Sequence, residues 1–178
     1  MAIQSKVEAA AEELLRERGV ETAPVPVEDI ARSLGTKLVF ENFDADLSGI
    51  LYRGKGAVII GVNSTHSAKR QRFTIAHELG HLRLHEKQVM FVDKAVRVDR
   101  RDITASAGVD ELEIEANGFG AALLMPKKML ISEIESLTDP PNPLGAESLI
   151  EELAERFEVS HQAMKYRLAN LGIAMLSE

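Results

Sequence analysis

The sequence predicts an α+β protein, mainly helical. A small, about three-stranded antiparallel sheet packs against one central helix, and a helix-turn-helix-like pair closes the chain. Three observations predict this. Most of the chain carries apolar residues at helical spacing. Residues 36–63 switch to short β-branched runs of period two. After the proline-rich "TDPPNPLGA" come two helical stretches joined by a tight turn at "EVS".

The elements follow in order. Residues 3–18 set Val7, Ala11, Leu14 and Leu15 on one helical face, and Gly19 stops the helix. "VEDIARSL" is a short second helix, with Gly35 suited to its C-terminal cap. "TKLVFENF", "LSGILYR" and "GAVIIGVN" are the strands, the last two joined by "GKG" as a hairpin. Asn63, Ser64 or Thr65 can cap the long helix that follows. Between Gln88 and Gly108 the pattern allows either a strand or an ordered loop. Asp110 suits the N-cap of "ELEIEANGFGAALLM", which Pro126 ends, and "KKMLISEIESL" forms another helix. The predicted organisation is a main domain over 1–138, a linker over 139–146 and a helical module over 147–178.

Composition narrows the function. A formal net charge of −7 argues against general nucleic-acid binding, which needs clustered Lys and Arg. With no Cys, a metal would have to be held by His, carboxylate or water. The N-terminus is an amphipathic charged helix rather than an export signal, and no apolar run is long enough to span a bilayer. The expectation is a soluble protein of the cytoplasm with no membrane partner.

The stretch "FTIAHELGHLRLH" carries His77, His81 and His85 at intervals of four, with Glu78 directly after the first. Residues four apart share a helix face, so two neutral imidazoles can converge on one zinc ion. Glu78 lies about 100° round the helix from His77, within reach of a water at the metal as general base. The competing reading is a pair of core histidines satisfied by hydrogen bonds, with Glu78 paired to Arg70 or Arg83. His85 lies about 12 Å up the axis from His77 and about 80° round. It therefore cannot share the ion with both others and is expected to support the site from behind. The three-histidine pattern of the metzincins does not fit either, since Leu84 and Lys87 stand where it needs glycine and histidine.

A further ligand must come from elsewhere, and "ELEIEANGFGAALLMP" offers Glu111, Glu113 and Glu115. Glu113 shares a face with Ala116, Asn117 and Gly120, small residues that let another helix approach. Glu111 and Glu115 lie some 160° to 200° away, on a side that suits solvent. Glu113 is the expected ligand. Asn117, four residues on, can hydrogen-bond a ligating imidazole and fix its tautomer.

Together, "RQRFTIAHELGHLRLH", "EIEANGFGAALLMP" and "SGILYRGKGAVIIGVN" resemble the ImmA/IrrE family of zinc metallopeptidases, over roughly residues 5–130. Gly118 and Gly120 depart slightly from the family's usual pattern. The resemblance implies a gluzincin-like site with one Zn²⁺ on His77, His81 and Glu113, and Glu78 as the catalytic group. It also implies a protein substrate, a helix-turn-helix repressor, whose cleavage derepresses a mobile element, prophage or stress regulon. Tyr52, Arg70, Arg72, His85 and Tyr166 are candidates for stabilising the oxyanion. "AVIIGVN" is expected either to be a sheet edge that docks substrate as an added strand or to be an ordinary core strand. The rival function is a non-proteolytic, metal-containing regulator whose C-terminal helices bind DNA or a partner. His161, Gln162, Lys165 and Arg167 would form its recognition face. The acidic first helix of that pair, with Glu151, Glu152, Glu155 and Glu158, opposes DNA binding.

Overall fold

A computed structural model describes residues 2–54, 56–94, 107–138 and 145–173. Its elements are α1 (Ala2–Glu17), α2 (Val27–Ser33), β1 (Thr36–Glu41), β2 (Leu47–Gly54), β3 (Ala57–Asn63) and α3 (Ala68–Leu84). They continue with β4 (Met90–Lys94), α4 (Ala107–Leu124), α5 (Lys127–Thr138), α6 (Ala146–Arg156) and α7 (His161–Asn170).

The α+β class holds, with two differences in the sheet. It has four strands in the order β1-β3-β2-β4, and β1 runs parallel to β3 while the other pairs are antiparallel. The hairpin folds β3 into the space between β2 and β1, so both its flanks are hydrogen-bonded. Of the two readings of "AVIIGVN", the edge is thereby overturned; it is an interior strand, and the edges are β1 and β4. The additional strand, β4, comes from the stretch whose pattern was open. Residues 95–106 and Lys55 of the hairpin turn lie outside the described residues.

Helix α3 is the centre of the molecule. All eight residues from Thr74 to His81 are buried. Leu51, Ile60, Val62 and Phe91 of the sheet cover one side, and α4 covers another. Each fully buried Ile or Leu here contributes roughly 1.5–3 kcal/mol. The α3–α4 approach depends on glycine. A Cβ on Gly80 would stand 3.0 Å from the Ala116 Cα and carbonyl oxygen, and one on Gly120 would stand 3.2 Å from the His77 nitrogen.

Ser67, not Asn63, Ser64 or Thr65, caps α3, accepting from the Arg70 N–H. Asn63 is occupied otherwise. Its amide donates to the carbonyls of Phe43, Asp44 and Leu47, and its oxygen accepts from Thr65. It thus staples the β1–β2 loop to the end of β3. Helix α4 begins at Ala107, so Asp110 lies within it rather than capping it.

The face of α4 that carries Glu115 is not open to solvent as expected. Helix α1 packs on it, with Val7 against Gly118, and Glu115 and Ala122 are buried. Leu153 of α6, Phe157 at its C-terminal cap, and Met164 and Leu168 of α7 join the same core cluster as α1, α3 and α4. Residues 139–144 of the expected linker lie outside the described residues. At the α6–α7 turn Glu158 takes a φ of 51°, a left-handed conformation usually given to glycine.

Candidate metal centre

The site is built by two helices held at glycine distance and by the strands beneath them. On α3, the i, i+4 spacing brings His77 Nε2 and His81 Nε2 to 3.0 Å. Glu113 reaches across from α4, with one oxygen 3.3 Å from each of these nitrogens. Four-coordinate zinc with bonds of about 2.0–2.1 Å has ligand atoms about 3.3–3.4 Å apart. The two imidazoles and the carboxylate therefore have the spacing and chemistry of a metal's donor set. Behind them, His77 Nδ1 lies 3.0 Å from Asn117 Oδ1. His81 stacks on Phe91 of β4, with ring centroids 3.8 Å apart and planes 19° from parallel. The His81 carbonyl accepts from Arg53 of β2 at 2.8 Å, which ties the end of α3 to the sheet.

Glu78 is fully buried, and neither carboxylate oxygen has a protein hydrogen-bond partner among the described residues. Burial, opposed by His77 and aided by Asp93 and Glu113, raises its carboxyl to about 8. Glu113 moves the other way. Burial would raise it, but the hydrogen bonds from His77 and His81 prevail and hold it at about 2. Burial also lowers His81, with His77 and His85 adding to the effect against the Glu113 hydrogen bond. For His77 burial is outweighed by Glu113, Glu78 and Asp93, and its pKa rises. One carboxylate is thus held charged between imidazoles, while the other is poised to take up a proton. Carboxylates in contrasting environments are a mark of acid–base sites.

A family model described as the IrrE N-terminal-like domain, of a peptidase family, matches residues 31–169. The chain belongs to the IrrE N-terminal-like peptidase family. Among its relatives is the radiation response metalloprotease IrrE of Deinococcus radiodurans, 32% identical over 111 residues, or 62% of this chain. The match spans only 30% of that protein's length. Metallopeptidase ImmA of Bacillus subtilis is 26% identical over 157 residues, covering 82% of this chain and 83% of ImmA. A Mycobacterium tuberculosis transcriptional regulator shares the fold with a TM-score of 0.63 at 22% identity, over 92% of this chain and 47% of that one. The metalloproteases among these relatives and the His77–His81–Glu113 group together point to a bound metal ion. No helix among the described residues is long and apolar enough to cross a membrane.

The other predicted residues in this IrrE-like chain lie outside the donor set. Tyr52 is exposed. The Cβ direction of Gly49 meets Glu78, and Arg53 bonds the His81 carbonyl, so strand alternation turns Tyr52 to the opposite face of the sheet. Arg72 donates to the Val25 carbonyl and pairs with Glu158, bracing α2 and the α6–α7 turn. Arg70 bonds Ser48 Oγ, and its charge reaches Asp93. Tyr166 lines a groove of about 430 Å³ with Arg70 and Phe73. His85 Nδ1 is 3.0 Å from His81 Nδ1, so it touches a histidine of the group from behind. The face that the rival reading would use on DNA is largely engaged. Arg167 is buried, bonding the Met125 carbonyl and Glu8, while His161 and Lys165 both pair with Glu147.

Two residues stand at or behind the group where the sequence reading did not put them. Asp93 of β4 stands opposite Gly49, and its carboxylate falls within 4.8 Å of both His77 and Glu78 donor atoms. Burial first, then Glu113, raises its pKa, against His77, Arg70 and His66. The available signal was "FVD", which places an acid two residues from an aromatic on one strand face. Glu115 is the other. Gly118 and Ala122, small residues on its own side of α4, already marked that side as one another helix could approach.

Proposed function

We propose that this chain is a zinc-dependent endopeptidase of the cytoplasm that cleaves a helix-turn-helix repressor. The observation that carries the reading is the convergence of His77, His81 and Glu113 beside a buried carboxylate, Glu78, that has no hydrogen-bond partner among the described residues. In this reading His77, His81 and Glu113 hold one Zn²⁺, Asn117 and His85 orient the imidazoles, and Glu78 is the general base. When bound, zinc would lower the pKa of a water and polarise the scissile carbonyl. Glu78 Oε takes the proton from the attacking water and returns it to the departing amine. Phe91 and the sheet exclude solvent on the far side of His81. Arg70 and Tyr166, in one groove, are the stabilising candidates the reading retains.

The substrate class rests on the motif-level resemblance to ImmA/IrrE. Residues 1–138 would form the peptidase domain, 139–146 a linker, and 147–178 a module that packs on it or recognises substrate. The test is to incubate purified protein with the repressor encoded beside it, with and without chelator. Cleavage at one site, lost with chelator and restored by zinc, is the expected result. Cleavage that survives Glu78→Gln would defeat the mechanism.

A further inference from the structure

We infer that Lys6, Glu115 and His85 form a hydrogen-bonded chain that sets the orientation and tautomer of His81, so that helix α1 positions one of the metal's ligands. The inference rests on the proposed ligand set and adds residues that the HExxH and Glu113 motifs do not include. Lys6 lies in α1, outside the residues matched by the family model.

The chain is continuous. Lys6 Nζ stands 2.8 and 3.0 Å from the two Glu115 oxygens. Glu115 Oε2 is 2.9 Å from His85 Nε2, and His85 Nδ1 is 3.0 Å from His81 Nδ1. Both Glu115 and His85 are buried, so water does not replace these partners freely.

Donor and acceptor identities fix the direction of each bond. A carboxylate only accepts, so His85 donates to it from Nε2. In neutral His85, Nδ1 is then an acceptor, and the hydrogen between the two Nδ1 atoms belongs to His81. That leaves the lone pair of His81 on Nε2, the atom facing His77 and Glu113. A ligating imidazole needs this tautomer.

Phe91 alone does not achieve it. Stacking fixes the plane of the His81 ring, but a half-turn about χ2 within that plane exchanges Nδ1 with Cδ2. The His85 hydrogen bond selects one of the two orientations. Lys6, gripping both oxygens, holds the Glu115 rotamer. His77 needs no such relay, because Asn117 serves it directly.

The experiment measures zinc affinity of the whole chain by competition with a chromophoric chelator, alongside unfolding of the metal-free protein. His85→Phe keeps a ring but removes the hydrogen bond, and zinc binding should weaken by about 10–100-fold. Lys6 is about half exposed (54%), so Lys6→Met is expected to fold even where a buried variant does not. It should weaken zinc several-fold while the metal-free protein still unfolds cooperatively with its midpoint lowered by only a few degrees, and Lys6→Arg should restore affinity. Nitrogen-15 NMR of the histidine rings should show His81 as the Nδ1–H tautomer in the zinc-loaded wild type. Wild-type affinity in both His85→Phe and Lys6→Met would overturn the relay while the ligand set stood. If the wild type bound no zinc, or His81→Ala bound it normally, the ligand set would fail and the relay with it.

Discussion

Gly49 of β2 lies directly under Glu78. A Cβ at this position would stand 2.9 Å from Glu78 Oε1 and 2.4 Å from Thr74 Cγ2. The missing side chain is what gives the carboxylate its place. Gly49→Ala should therefore displace Glu78 while leaving His77, His81 and Glu113 alone. Peptidase kcat is expected to fall at least about tenfold, since misplacement by an ångström can cost more than that. Zinc affinity should stay within about threefold, and overpacking should cost roughly 1–3 kcal/mol of stability. Kinetics, metal titration and thermal unfolding of one variant check all three.

Glu78→Gln should abolish turnover and stabilise the metal-free fold at alkaline pH. The sign follows from the raised carboxyl. Its folded value of about 8 exceeds the ordinary 4.5, so the folded state loses stability as pH rises between them. An amide has no proton to lose. The unfolding midpoint of the variant should exceed that of the wild type by an amount that widens from pH 5 to pH 8. At pH 8 the gain should be roughly 1–3 kcal/mol, a few degrees for a chain of this size. Equal midpoints at both pH values would contradict the raised pKa of the buried carboxylate.

The rate should climb with pH along an acidic limb, because the base acts only when deprotonated. Its midpoint should lie above 4.5, the ordinary value for Glu. The Asp93 charge is one cause of that rise, so Asp93→Asn should move the limb to lower pH. The profile of kcat/KM against pH for both proteins tests this. An unmoved limb would remove Asp93 from the electrostatics of Glu78.

Gly80→Ala tests the spacing of the two helices. The new methyl would meet the Ala116 backbone at 3.0 Å, and backbone cannot rotate aside. Because Glu113 sits on α4 and the histidines on α3, any separation opens the donor set. Zinc affinity and stability should fall together, the latter by about 1–3 kcal/mol. A loss of stability with zinc affinity intact would show that α4 moves without carrying Glu113.

Chelation should lower the unfolding midpoint, since a ligand that binds only the folded chain stabilises it. At a free metal concentration about 100 times Kd the effect is about 2.7 kcal/mol. Re-addition of zinc should restore the midpoint in the wild type but not in Glu113→Ala. Calorimetry of the three samples decides it.

What the sequence disclosed was local. Helix α3 and the alignment of its histidines follow from a four-residue interval, and the side of α4 that meets α3 follows from Ala116 and Gly120. Parallel pairing of β1 with β3 depends on a hairpin inserting between strands, and no short-range pattern encodes that. The same holds for Asp93, whose neighbours Gly49 and His77 are distant in the chain. Glu115 was misread because Gly118 and Ala122 marked its side of α4 as one a helix could approach, but not that α1, distant in the chain, is the helix that covers it. Asn63 was misread because an asparagine at a helix start caps or staples according to which carbonyls the fold brings near.

Every donor gathered at the centre is a nitrogen or an oxygen, and the chain has no cysteine. Peroxide and alkylating reagents disable thiolate centres by sulfenylation or capping. Neither finds a sulfur ligand here. With a metal held by imidazoles and a carboxylate, as proposed, oxidation of the kind that strips a cysteine-bound ion would find no sulfur to attack in the donor set.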